Sequence, residues 1–247
     1  MTTFVLVPGF WLGAWAWRPV TAELRRHGHD VYPISLTGLG ERVHLARPET
    51  DLDVHVTDVV NLLSYEDLSD VALVGHSYAG SVITAAADRA AGRVAQLVYV
   101  DTGPLPDGVA QADFTPPAER ERNAALVAAR GDGWRLPPPP WADLAAGVPD
   151  VDDRAVALLR ARSADQPWAT ATTPVRLTGE WEKLPRLGVL SSFTISQMQA
   201  MAAAMPLCRH MTGDAWRFEE LPTWHWPMLS RPAELAAILH RACPGRA

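Results

Sequence analysis

Lysine is almost absent from this chain. Lys183 is the sole lysine among 22 basic residues, the rest being arginine. Schiff-base formation or a lysine general base therefore has one candidate, and its setting reads as a solvated loop. Cysteine is nearly as scarce: Cys208 and Cys243 stand near the C-terminus without CxxC spacing or a neighbouring histidine cluster. That pattern argues against a disulfide framework and against a metal site, and suggests core or surface thiols. An excess of positive charge is missing too. The formal net charge of −6 offers no field for nucleic acid and no polybasic patch for a membrane surface. No apolar run reaches membrane length, and Met1 leads into FVLVPG without a charged leader or cleavage site. The expected setting is the cytoplasm and the expected partner a small molecule; nothing here specifies an oligomeric state.

What the chain does have is 48% hydrophobic residues in a length of 247, enough for one sizeable core and one α/β domain spanning 1–247. Its most informative stretch is Asp70 to Gly80, DVALVGHSYAG. Val71 to Val74 form a short apolar run of the kind a buried parallel strand shows, and a helical pattern, SVITAAADRAA, follows at once. Strand, tight turn and helix in that order make the serine between them a candidate nucleophile, exposed at the tip of a strained turn. Such a turn needs tiny residues two before and two after Ser77, which Gly75 and Ala79 supply.

The remaining chain alternates in the same way. Phe4–Val7 predicts a strand ending in Pro8-Gly9-Phe10-Trp11, followed by a helix that stops at Gly28. Asp30–Leu36 predicts a strand that Pro33 pushes to a sheet edge. A glycine- and charge-rich loop, 37–48, leads to a helix with Leu52, Val56, Val59, Val60 and Leu63 on one face. Gln96–Val100 is a further strand, ending in Asp101-Thr102-Gly103. This alternation implies a mostly parallel sheet covered by helices on both faces. From about 104 to 185 the composition turns to Pro, Ala, Asp and Arg, with helical fragments near 117–130, 141–146 and 152–163. A segment of that length reads as an inserted helical cap. Strands at Arg186–Ser191 and Trp216–Leu221 and helices at Thr194–Met205 and Pro232–Ala242 complete the chain, with Ser230 a candidate N-cap for the last helix.

A serine hydroxyl becomes a competent nucleophile at neutral pH when a base takes its proton. Of eight histidines, His225 is the one that follows the last strand, at the carboxyl edge where Ser77 also points. His27, His29, His44, His55, His210 and His240 read as surface residues, and strand alternation should turn His76 away from Ser77. A carboxylate must then hold the His225 tautomer. None follows the strand RLGVLS, where Ser191, Ser192 and Thr194 stand instead. Asp101, at the end of the strand after the Ser77 helix, is the best-placed acid. The backbone N–H groups of Tyr78 and Phe10 are the candidate donors for an oxyanion. Ten tryptophans are many for this length. Trp11, Trp134, Trp141, Trp168, Trp181 and Trp226 are candidates for an aromatic substrate-binding wall, or equally for a lid whose rings pack on one another.

With PGFWLGAWAW, GHSYAG and HWPML in register, the chain resembles the α/β-hydrolases, in particular the branch of plant methyl esterases, hydroxynitrile lyases and their bacterial relatives. The resemblance implies an α/β-hydrolase fold and a cofactor-free serine hydrolase acting on an ester or lactone. The lyases carry a threonine where Phe10 stands and a lysine where Trp226 follows the histidine, so cyanohydrin cleavage does not fit. Haloalkane dehalogenases and certain lactone hydrolases of the superfamily place their acid where Asp101 stands; Ser77 excludes the aspartate nucleophile of the former. A non-hydrolytic enzyme acting on a polyketide-like substrate, or a small-molecule receptor of the same fold, remains an alternative at this point.

Overall fold

The computed structural model describes residues 1–146, 148 and 151–243. Residues 147, 149 and 150 of the expected insertion and 244–247 of the expected domain lie outside that range. Six strands, β1 (Thr3–Val7), β2 (Asp30–Pro33), β3 (Val71–His76), β4 (Val94–Val100), β7 (Arg186–Leu190) and β8 (Trp216–Glu220), form one sheet. Its order is β2-β1-β3-β4-β7-β8, and every neighbouring pair is parallel. Two short segments, β5 (Arg135–Leu136) and β6 (Gln166–Pro167), make a separate antiparallel ribbon.

The order explains where a ligand can sit. From β1 the chain winds outward to β2, then returns across β1 to β3 and continues to the other edge. The winding direction therefore reverses between β1 and β3, and the loops at their carboxyl ends part to leave a crevice. Gly9-Phe10 and Ser77 occupy those two loops. As the sequence implies, Pro33 lies on an edge strand, where its missing N–H costs no ladder bond. The strand stops there, three residues short of the expected Leu36. Ile34 makes the last main-chain bond to β1, and the Ser35 hydroxyl turns aside to accept from the Ala14 N–H at 2.7 Å.

Both faces of the sheet are covered. Helices α1 (Arg18–Arg26) and α11 (Pro232–Ala242) lay Val20, Leu24, Leu235 and Leu239 against Phe4, Leu6 and Val74. On the opposite face α2 (Leu52–Tyr65) and α3 (Ala79–Arg89) bury Val56, Val59, Val82 and Ile83 against Val5, Leu73 and Tyr99. Alternate residues of each central strand thus feed two separate cores, the arrangement that near-continuous apolar strands require.

Between β4 and β7 the chain forms α4 (Gln111–Phe114), α5 (Pro117–Arg130), α6 (Trp141–Ala145), α7 (Asp153–Arg162), α8 (Ala169–Thr172) and the small ribbon. Asp152 caps α7 by accepting from the Ala155 N–H at 2.7 Å. Beyond β7, Thr194 and Gln197 cap each other reciprocally at the start of α9 (Ile195–Ala204). Ser230 does not cap α11. It ends a short preceding turn, α10 (Pro227–Ser230), and its hydroxyl meets that of Thr223 at 2.8 Å. Pro232 opens α11 without an N–H of its own, so one of the orphan donors a cap would satisfy does not exist. No helix among the described residues is long and apolar enough to cross a membrane.

Candidate active site

Ser77 closes a turn whose shape dictates its neighbours. Its backbone lies in the left-handed region, at φ 53°, which a serine adopts only where the surroundings force it. The turn brings Ala79 back over Gly75 so closely that a Cβ on Gly75 would lie 2.7 Å from the Ala79 carbonyl oxygen. The Ser77 N–H bonds the Val100 carbonyl of β4, and α3 begins at Ala79. The hydroxyl is thereby held above the carboxyl edge of the sheet at the start of a helix.

Asp101 hangs from the end of the adjacent strand β4, also with a left-handed backbone, at φ 52°. Its side chain is fully buried, and each carboxylate oxygen accepts two bonds. Oδ1 takes the N–H groups of Ser191 and Ser192 at 2.7 and 2.8 Å. Oδ2 takes the Ser192 hydroxyl at 2.6 Å and His225 Nδ1 at 2.5 Å. Burial on its own pushes the carboxyl pKa up; His225 and the Ser192 donors together outweigh it and hold the group below its ordinary value. Two of the three residues that stand after β7 where no acid is found, Ser191 and Ser192, thus solvate the carboxylate after β4.

His225 sits in the loop after β8, with the buried Trp224 and Trp226 on either side. Main-chain bonds from Leu221 to Leu190 and from Thr223 to Ser191 carry the β7–β8 pairing up to this loop. Because Nδ1 donates to the ionised Asp101, the neutral ring presents a lone pair at Nε2, which lies 3.0 Å from Ser77 Oγ. Three side chains far apart in sequence therefore make one unbroken run of hydrogen bonds. The N–H groups of Phe10 and Tyr78 have no protein partner among the described residues.

His76 makes no hydrogen bond to Ser77 and is held instead beside His225. Its ring is fully buried, 4.8 Å from the His225 ring, and Nε2–H donates to the His225 carbonyl at 2.6 Å. Burial, then the proximity of His225, lowers its pKa to about 3, so it stays neutral.

Two cavities meet at Ser77 and His225. The larger, about 630 Å³, runs under α5 and the Pro137–Pro140 stretch and includes Phe10, Trp11, Trp168 and Trp226 in its wall. The smaller, about 190 Å³, lies on the Asp101 side against Gly103, Phe114, Phe193, Met201, Cys208 and Met211. Of the six tryptophans expected at a substrate wall, Trp11, Trp168 and Trp226 reach the large cavity. Trp141 stands behind them, its ring edge-on to Trp11 at 5.7 Å and to Trp226 at 5.2 Å. Trp134 and Trp181 are elsewhere. Trp134 is tied to the ribbon, its carbonyl accepting the Trp168 N–H and its ring carrying the Arg135 guanidinium at 5.0 Å. Trp181 is buried beside α3, under the Arg186 guanidinium at 5.3 Å. Indole packs as well in a core as in a pocket, so tryptophan content alone does not separate the two.

A family model described as "Alpha/beta hydrolase family" matches residues 4–238. The chain belongs to the alpha/beta hydrolase family. Among curated relatives of this hydrolase, a carbendazim hydrolyzing esterase of Nocardioides sp. (strain SG-4G) is 48% identical over 101 residues, 41% of this chain and 42% of that protein. Putative methylesterase 14, chloroplastic, of Arabidopsis thaliana is 29% identical over 140 residues, 55% of this chain and 40% of that one. The chain thus spans less than half the length of these curated relatives. An extracellular alpha/beta-hydrolase from a Paenibacillus species, described as sharing homology with tobacco salicylic acid binding protein 2, superposes with a TM-score of 0.83. It is 23% identical, with 100% of both chains covered, a likeness of fold.

Within this hydrolase fold, the elements not anticipated from sequence are polar and buried. His55, expected at the surface, is fully buried on α2, with Nδ1 3.0 Å from the Tyr78 hydroxyl and Nε2 2.8 Å from the Thr37 carbonyl. A signal existed: Leu52, His55, Val56, Val59 and Leu63 form one helical stripe, and an imidazole in that stripe faces the core. Lys183 lies on the surface, paired with Glu180 at 2.7 Å. Cys208 and Cys243 are buried free thiols, and no group of three or more His, Cys, Asp or Glu side chains forms a candidate metal site among the described residues.

Proposed function

We propose that this chain is a serine hydrolase that cleaves a carboxylic ester or lactone of a hydrophobic small molecule through a Ser77–His225–Asp101 triad and an acyl-enzyme. The observation that carries the reading is the unbroken run from Ser77 Oγ to His225 Nε2, 3.0 Å, and from His225 Nδ1 to Asp101 Oδ2, 2.5 Å, where two cavities meet. The carbendazim esterase and methylesterase names among the relatives point to the same bond type.

His225 takes the Ser77 proton as the hydroxyl oxygen attacks the carbonyl carbon. Asp101 keeps the imidazolium oriented and offsets its charge. The oxygen that gains negative charge is met by the Phe10 and Tyr78 N–H groups, which are free to receive it. His225 then passes its proton to the departing alcohol oxygen. Water, deprotonated by the same imidazole, releases the acid. The neutral His76 beside His225 adds no second positive charge to the site at any step.

The two cavities fit the two halves of an ester flanking the reacting carbonyl. The smaller has apolar walls and is close in size to a cavity that holds one benzene ring, about 150 Å³. The larger combines tryptophan and proline surface with polar groups of α5, the inserted segment acting as a cap. The reading predicts that Ser77→Ala lowers hydrolysis of short-chain nitrophenyl esters by at least about 10³-fold and abolishes labelling by a fluorophosphonate. Full activity in that variant would overturn it. Product from heavy-oxygen water must also carry solvent oxygen, which a cyclisation or elimination would not require.

A further inference from the structure

Both groups offered to the oxyanion are main-chain N–H groups, so no side chain of their own can set where they point. Their spacing must come from whatever holds residues 10, 11 and 78. On each side the holding groups are buried and polar.

Trp11 follows Phe10 directly, and its backbone lies in the left-handed region at φ 65°. The inserted segment grips it at three points. Its N–H donates to Gln166 Oε1 at 2.9 Å, its carbonyl accepts the Ala164 N–H at 3.0 Å, and its indole N–H donates to the Leu136 carbonyl at 3.1 Å. Gln166 is fully buried, and its Nε2 donates to the Thr170 hydroxyl at 2.9 Å. That hydroxyl, also fully buried, donates to the Pro167 carbonyl at 2.7 Å. Tyr78 is held separately, through its phenol. The Thr37 carbonyl can only accept, so His55 carries its proton on Nε2, and its bare Nδ1 receives the Tyr78 O–H. Asp58 accepts both the N–H and the hydroxyl of Thr37, at 2.6 and 2.9 Å, and so ties the end of the chain to α2. The Phe10 ring lies on Tyr78 at 4.4 Å, closing the loop between the two donors.

We propose that Gln166 and Thr170 are positioning residues: by holding Trp11 they fix the place of the Phe10 N–H against the Tyr78 N–H, which the Tyr78–His55 bond holds from the other side. The inference rests on the serine hydrolase reading above. It assigns the inserted segment a part in assembling the oxyanion site besides covering the cavity. The physical ground is that a small displacement of a donor costs most where charge develops, in the transition state, and little in the bound ester.

The test uses Gln166→Leu and Thr170→Val, which keep the volume and delete the polar contacts, with Gln166→Glu as the variant that retains an acceptor for the Trp11 N–H. For nitrophenyl ester hydrolysis, kcat falls about 10-fold or more in Gln166→Leu and KM changes less than about twofold, a smaller loss than removal of a donor itself would give. Affinity for a trifluoromethyl ketone, which forms the tetrahedral oxyanion adduct on the serine, falls in step with kcat/KM. Affinity for the acid product does not. Gln166→Glu recovers part of the kcat. A variant that folds, by circular dichroism and thermal melting, and shows unchanged kcat overturns the proposal. So does a rise in KM at constant kcat, which would make Gln166 a wall of the cavity. If Gln166→Leu fails to fold, Thr170→Val alone decides by the same criteria. Persistence of activity in Ser77→Ala would instead mark failure of the hydrolase reading.

Discussion

Ser192 and Asp101 face each other across the carboxyl ends of β7 and β4, the Ser192 hydroxyl 2.6 Å from the carboxylate oxygen that also receives His225. The acid and its main neutral donor thus come from two parallel strands. Their relative height is fixed by the β4–β7 register, in which Val100 pairs with Val189. In Asp101→Asn the side chain must choose between satisfying the Ser191 and Ser192 N–H groups and accepting from His225. We expect kcat to fall about 10³- to 10⁴-fold with little change in KM, measured by steady-state hydrolysis of nitrophenyl acetate. Ser192→Ala should lose about 10-fold or less, because two N–H donors still hold Oδ1.

The small cavity can be reduced without touching the reacting groups. A Cβ on Gly103 would lie 2.5 Å from Met211 Sδ, the flexible end of a side chain in the same wall. Thioethers move easily, so Gly103→Ala should push Met211 into the 190 Å³ space. The expected result is a rise of about 10-fold in KM for benzoate or phenyl esters, with methyl and acetyl esters little affected. A uniform loss across both ester classes would contradict the division of the substrate between two cavities.

The distribution of what was legible follows from the range of each signal. The turn at Ser77 is local: an apolar strand, small flanking residues and an apolar helix lie within twenty residues, and periodicity reads them directly. Asp101 and His225 were readable because strand ends in a parallel sheet share one edge. By contrast, Gln166 bonds Trp11 across 155 positions, and no local pattern marks a glutamine whose partner is a main-chain N–H. Trp181 failed as a pocket residue for a similar reason. Its place is set by Asp88 at the end of α3, which reaches its N–H from 93 positions away.

That aspartate supplies a prediction confined to stability. Asp88 accepts from the Thr178 N–H and hydroxyl and from the Gly179 and Trp181 N–H groups, at 2.5 to 3.1 Å. Burial raises its pKa, and the four bonds together more than reverse that, leaving it below the ordinary value. Asp88→Ala strands the buried Trp181 N–H and removes the part-buried bonds to Thr178 and Gly179, and should cost about 1–3 kcal/mol. Urea unfolding should show a lower midpoint at an unchanged slope, while kcat stays near the wild-type value because the site at Ser77 is not contacted.

His55 gives the fold an acid sensitivity that can be separated from catalysis. Burial outweighs its bond to the Thr37 carbonyl and lowers its pKa from 6.5 to about 4; His76 is lowered to about 3, and His29 shifts in the same direction. Below pH 6.5 the unfolded chain takes up protons that the folded chain refuses, so stability falls as pH drops from there toward the folded values. His55 and His76 each contribute a slope approaching roughly 1.4 kcal/mol per pH unit within that window. Above pH 6.5 neither state is protonated at these rings and the contribution is constant. Replacing His55 by Gln keeps an amide donor for Thr37 and an acceptor for Tyr78 while removing the titration. Its unfolding free energy, measured in urea between pH 7.5 and 5, should decline less steeply than that of the wild type, by about the slope of one histidine. Parallel declines would mean that His55 is protonated in the folded protein, and the tautomer that fixes Tyr78 would then be wrong.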